Sequence, residues 1–186
     1  MNSSTPRIAA VPLHLVNTFG LLAMYAILFK VSKNPEIQIS DCIDRNFKIA
    51  TGLFILAGAT GSITALADVL FPSESFISGL IEDFDSTSAL LTRLRITHPL
   101  ASTLLSIFLF SESNRFKKQY GIRAFEIKVL VILGVGLGVL NVLSNINLLL
   151  SIIHLLTADL LWITYIYKTL EKSTKVLEIS NNSSID

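Results

Sequence analysis

The chain has 186 residues, 51% of them hydrophobic and 16% charged, with a mean hydropathy of +0.61. That is too apolar for an ordinary soluble domain of this length. Its 15 basic and 14 acidic residues leave a net charge of +1, and no basic stripe interleaved with aromatics appears, so nothing points to a nucleic-acid partner.

The charges fall mostly between apolar runs, and the runs predict an all-α integral membrane protein, a five-helix transmembrane bundle. Residues 1–10 hold one arginine, and no small-residue cleavage site follows the first run, so that run reads as a mature span. Spans are expected at 11–31, 47–71, 94–112, 126–143 and 147–168, each near the ~20 residues a helix needs to cross hydrocarbon. Residues 1–170 then form a single bundle, and 171–186 a polar cytoplasmic tail expected to fray.

The first span opens with His14. The loop after it holds Cys42, the one cysteine, which has no partner for a disulfide or a CxxC pair. The second span carries Gly58, Gly61 and Ala65, and the fourth carries Gly134, Gly136 and Gly138. Two readings stand for both: close helix packing in lipid, or a face on which a flat porphyrin rests. The fourth-span glycines are no nucleotide loop, because Val occupies 139 and no strand precedes them.

The loop from about 72 to 93 is acidic, with Glu74, Glu82, Asp83 and Asp85. Residues 76–81 read as a short amphipathic turn at the interface, and 85–88 offer N-cap residues before Ala89. The third helix either starts in this loop, with Pro99 kinking it, or starts at His98 with Pro99 in its first turn. In the fifth span Asp159 follows His154 by five residues, about 500° of helix rotation, so the two do not share a face. Asp159 is expected to face another helix and pair with Asn141, Asn145 or a backbone group, and Asp68 to sit at the interface.

Orientation follows from the basic residues. Arg7, Arg93 and Arg95 lie on the N-terminal side. On the other lie Lys30, Lys33, Arg45, Lys48, Arg115, Lys117, Lys118, Arg123, Lys128, Lys168, Lys172 and Lys175, a split of 3 against 12. The excess belongs inside, giving an N-out, C-in topology in a cell membrane.

His14, His98 and His154 are the only histidines, and each opens an odd-numbered span. Alternate spans begin on the same side, so all three sit near the outer face at similar depth. A ligand-grade side chain within a membrane is costly and usually marks function. Facing imidazoles in a helical bundle are a usual way to hold haem iron, and His98 with His154 meets that requirement. An interfacial or hydrogen-bonded role is the alternative. Zinc has no third or fourth ligand at matching spacing. Each histidine is followed three or four positions on by a small or polar residue, which suggests duplicated helix pairs. The acidic loop is either a solvated surface, or it folds Glu82, Asp83 or Asp85 over the site to carry protons or stabilise a developing cation. A transporter relaying protons through the histidines and Asp159 would need polar residues spread through several spans, and here the histidines cluster at one end.

The stretches 13–19, 58–72, 94–99 and 154–162 resemble the heme A synthase family of cytochrome oxidase assembly proteins. The resemblance runs from about residue 11 to 168. It implies a bundle holding haem between histidines near the outer face, and oxidation of the haem O methyl group to the haem A formyl group. His98 and His154 would be the axial ligands of haem b, and His14 one ligand of the site for haem O as substrate and haem A as product. A full member has eight spans and four such histidines, so this chain looks like one preceding helix plus the complete second half. The family's outer-loop cysteine pair is missing, and Arg95 stands three before His98 where no matching glutamate is found. The implied partners are the lipid bilayer, haem, the oxidase assembly machinery, and either a second copy or a second heme A synthase-like chain to complete the site around His14. The alternative is a non-catalytic b-type haem protein or assembly factor.

Overall fold

A computed structural model describes residues 4–182, with side chains from 9 to 176. Its elements are α1 (Ser4–Lys33), α2 (Ile39–Cys42), α3 (Arg45–Leu70), α4 (Phe76–Phe84), α5 (Leu90–Leu94), α6 (Thr97–Tyr120), α7 (Phe125–Leu143) and α8 (Leu148–Asn182). Among the described residues five helical stretches are long and apolar enough to cross a membrane: Ala9–Lys33, Arg45–Leu70, Leu90–Tyr120, Phe125–Leu143 and Leu148–Val176. These are the five runs read from the sequence, the third and fifth extended at their C-terminal ends.

α3 packs antiparallel on α6, and α7 on α8; α6 bridges the two pairs, and α1 lies against both α3 and α8. Lipid supplies no hydrophobic drive between helices, so close packing and interhelical hydrogen bonds must hold them. The core supplies both. Phe54 and Trp162 rings lie 4.7 Å apart, with Phe19 and Tyr165 against them. The Trp162 indole N–H donates to the Phe19 carbonyl at 2.9 Å, fastening α8 to α1. Gly58 lets α1 come close, since a Cβ there would lie 2.8 Å from the Phe19 ring.

The end of the bundle away from the histidines is closed by a polar network. Asp44 caps α3 by accepting the Phe47 N–H at 2.8 Å, and also accepts from Lys172 at 2.8 Å and Arg115 at 3.2 Å. Glu112 accepts from Asn46 at 2.6 Å and Arg115 at 2.9 Å. Burial alone would raise the Asp44 carboxyl, but the bonds from Lys172, the Phe47 N–H and Arg115 outweigh it and hold it below the usual aspartate range. A depressed carboxyl contributes stability above its unfolded value and loses it as pH falls through the folded one. Acid unfolding of the detergent-solubilised chain should therefore begin at higher pH in Lys172→Met than in the wild type, read by circular dichroism.

One open choice is decided and two local expectations are corrected. α6 begins at Thr97 with Pro99 in its first turn, and α5 is a separate short helix. Proline has no N–H to give the Arg95 carbonyl. That oxygen instead accepts from His98 N at 3.2 Å and from the Thr64 hydroxyl of α3 at 3.4 Å. The loop residues 85–88 do not cap α5: Ala89 is its N-cap, and Asp85 accepts from Thr87 within the turn. The stretch from Glu171 does not fray at once, since α8 runs on to Asn182 with Lys172 and Ser173 buried. Lys172 reaches Asp44, and the Ser173 hydroxyl donates to the Gln38 carbonyl at 3.4 Å. Residues 183–186 lie outside the described part.

Candidate functional site

His98 and His154 meet at one end of the bundle. Their ring centroids are 6.2 Å apart and their planes nearly perpendicular, at 83°. His98 rises from the first turn of α6 and donates its Nδ1–H across to the Ala57 carbonyl of α3 at 3.1 Å. His154, one turn into α8, does the same to the Gly134 carbonyl of α7 at 3.0 Å. A carbonyl only accepts, so Nδ1 carries the proton in each ring and Nε2 keeps its lone pair. Both rings are half-buried. Two glycines make room for them. A Cβ on Gly61 would lie 3.0 Å from His98 Cε1, and one on Gly138 would lie 3.3 Å from His154 Cε1.

His14 is not brought to this pair. It sits exposed on α1, and among the described residues its ring has no hydrogen-bond partner, although its own carbonyl accepts from Thr18 at 3.0 Å. Among the described residues no cluster of three or more His, Cys, Asp or Glu side chains forms that could hold a metal ion. Asp159 does not pair with Asn141, whose amide donates to Ser151 and whose oxygen accepts from Asn147 N. The Asp159 Oδ1 is buried with no hydrogen-bond partner among the described residues.

One turn before His98 lies a residue that sequence reading used for orientation and as a departure from the family pattern, with no site role. Arg95, 7% exposed, is the hub that holds the acidic loop. Its guanidinium donates to Asp83 at 2.8 Å, and to Asp68, Glu82 and Ser73 at 3.1 Å each. Ser73 donates in turn to Glu82 at 2.6 Å. α4 is thereby tied to the ends of α3 and α6. Burial raises the Asp83 carboxyl, with Arg95 pulling the other way. The Ser73 hydroxyl, helped by Arg95, holds Glu82 low, and Thr87 holds Asp85 low through its N–H and hydroxyl. Asp68 sits at the helix end as the sequence suggested, but as a partner of Arg95. Truncating one side of a buried ion pair costs about 3 kcal/mol or more. Arg95→Ala should cost about that much, carried by the half-buried Asp68 and Asp83 left without their cation, and should free the acidic loop for protease cleavage at 72–89, which limited proteolysis would read.

What sequence reading missed is the pairing of each histidine with a glycine and a carbonyl four residues before it. The signal was present as Ala57-x3-Gly61 and Gly134-x3-Gly138, at equal spacing on the two even-numbered spans.

Fold and site define a multi-pass helical membrane protein with two imidazoles presented to each other across a bundle. A family model for cytochrome oxidase assembly proteins matches residues 2–166, and the chain belongs to that family, the heme A synthase family. Two proteins named protoheme IX farnesyltransferase, from two strains of Thermus thermophilus, are each 26% identical to it over 189 residues, covering 96% of this chain. The chain spans 31% of the length of these curated relatives. No solved structure matches it significantly.

Proposed function

We propose that this chain is a heme A synthase-like oxidoreductase of a prokaryotic plasma membrane, binding haem b between His98 and His154 and taking part in oxidising the haem O methyl group to the haem A formyl group. The His98–His154 pair is the observation that carries this reading. A metal-bound imidazole nitrogen lies about 2 Å from its ion, so two rings sharing one ion have centroids within about 6 Å of each other. The observed 6.2 Å fits that spacing. Ligand histidines also donate their other ring N–H to a carbonyl or carboxylate, as both do here. A pair of imidazoles is a donor set that would suit haem iron. Protoheme in the relatives' name agrees with a ligand of this class.

Bound between these rings, the haem supplies one-electron transfer. The chain's own residues fix the imidazoles and hold carboxylates on the loop beside His98. Turning the methyl into the formyl group takes its oxygen from water and gives up protons and electrons; the electrons leave to an acceptor outside this chain, and Glu82, Asp83 and Asp85 are the groups proposed to accept the protons. Among them Asp83 is the one whose carboxyl burial raises, while hydrogen bonds hold those of its two neighbours low. The substrate site is completed around His14 by a second copy or a separate chain of the same family. A purely b-type electron carrier or assembly factor is the second reading, favoured by the exposed His14, whose ring has no partner among the described residues.

The purified chain should carry extractable haem b with a two-imidazole low-spin spectrum, and colourless protein from a haem-replete host would overturn the proposal. Topology is checked in a Cys42→Ser background by labelling Glu74→Cys and Lys118→Cys with an impermeant thiol reagent in intact cells. Position 74 should label and 118 should not. The reverse pattern would put the histidines at the inner face.

A further inference from the structure

Ala57 and Gly61 stand one helical turn apart on α3, and so do Gly134 and Gly138 on α7. In both helices the first residue's carbonyl receives the imidazole Nδ1–H, and the ring lies over the fourth residue after it. A helix carbonyl already accepts from the N–H four residues on, and its second lone pair is open to an outside donor. What usually covers it is the side chain of that same fourth residue, because helical Cα–Cβ bonds lean toward the N-terminus. Glycine there uncovers the oxygen and clears the space for a ring.

We infer that Gly61 and Gly138 are positioning residues for the two imidazoles: each uncovers the helix carbonyl that captures Nδ1–H, and so fixes the ring with Nε2 left bare. The same relation occurs independently in two helix pairs, α3 with α6 and α7 with α8. It differs from a small-residue packing stripe in a specific way. The residue that owns the carbonyl can bear a side chain, as Ala57 does, and only the fourth residue after it cannot. A Cβ on Gly136 would meet nothing within 4 Å, and one on Gly134 would meet only Thr157 Cγ2 at an ordinary 3.9 Å. What the Nε2 atoms bind rests on the haem reading; the seating of the rings does not.

The test uses the full chain in nanodiscs, labelled with 15N-histidine, first without haem and then titrated with it. Without haem, His98 and His154 should both be Nδ1–H tautomers. Gly61→Ala should change the His98 signals alone and Gly138→Ala the His154 signals alone, while Gly136→Ala changes neither. Loss of an outer partner of a metal ligand typically costs 10- to 100-fold in affinity, and haem binding should weaken by about that much in Gly61→Ala. Gly138→Ala should lose less, because 3.3 Å leaves the ring more room than 3.0 Å. An Nε2–H tautomer at either ring of the wild type overturns the inference without any variant. So does a Gly136→Ala chain as impaired as Gly138→Ala, which would mean helix packing alone. Rings seated as expected in a chain that binds no haem would sink the haem reading and leave the seat standing. Normal haem binding with Gly61→Ala and Gly138→Ala both unchanged would sink the seat and leave the haem reading.

Discussion

His98→Ala and His154→Ala should each abolish low-spin bound haem, whereas His14→Ala should leave most of it. The two rings face each other at 6.2 Å on separate helix pairs, each anchored by its own carbonyl. Removing either leaves one axial ligand, and iron with one imidazole becomes five-coordinate and high-spin or is lost to the detergent. The fold should survive the change. The Ala57 and Gly134 carbonyls keep their own helical partners, and the packing at Phe19, Phe54, Trp162 and Tyr165 is untouched. Optical and electron paramagnetic resonance spectra of the purified variants distinguish these states directly. A normal low-spin spectrum in both variants would mean that the iron is held elsewhere.

The five spans were legible because length and apolarity alone define them, and lipid tolerates no other backbone arrangement than a closed one. Which face each helix turns inward was not. Hydropathy assigns no rotation to a helix that is apolar all round. Sequence therefore offers Asn141 or Asn145 to Asp159, while in the fold Asn141 is taken by Ser151 and Asn147. One proline could not separate the two possible starts of α6. Thr64 decides between them by reaching across from α3 to the carbonyl that Pro99 leaves open. The acidic loop shows the same limit. Its charges were visible, but Arg95, one turn from His98, draws Glu82 and Asp83 inward, and neither a free surface nor free carboxylates describes them. The continuation of α8 past Glu171 depends on Lys172 meeting Asp44, a contact spanning 128 positions that no local pattern carries.

Haem A formation should require a second chain, and this is the other large effect. In the paired sites each histidine has a carbonyl acceptor on an antiparallel neighbour and a glycine that admits its ring. α1 has neighbours in α3 and α8, yet His14 is exposed and finds no such seat among the described residues. The glycines at 61 and 138 are taken by His98 and His154, so neither of these two seats is open to His14. A second copy meeting α1 would bring another His14 and another Arg95-held carboxylate loop to the same end. Expressed alone in a host that makes haem O but not haem A, the chain should yield haem A only in preparations that self-associate, and His14→Ala should remove it while haem b remains. Bulky substitution on the exposed α1 face, Leu21→Trp with Leu28→Trp, should lower both association and haem A in parallel. Haem A from a demonstrably monomeric preparation would refute the requirement. Haem b without any haem A, in dimers as in monomers, would instead identify the chain as an electron carrier whose His14 has lost its catalytic counterpart.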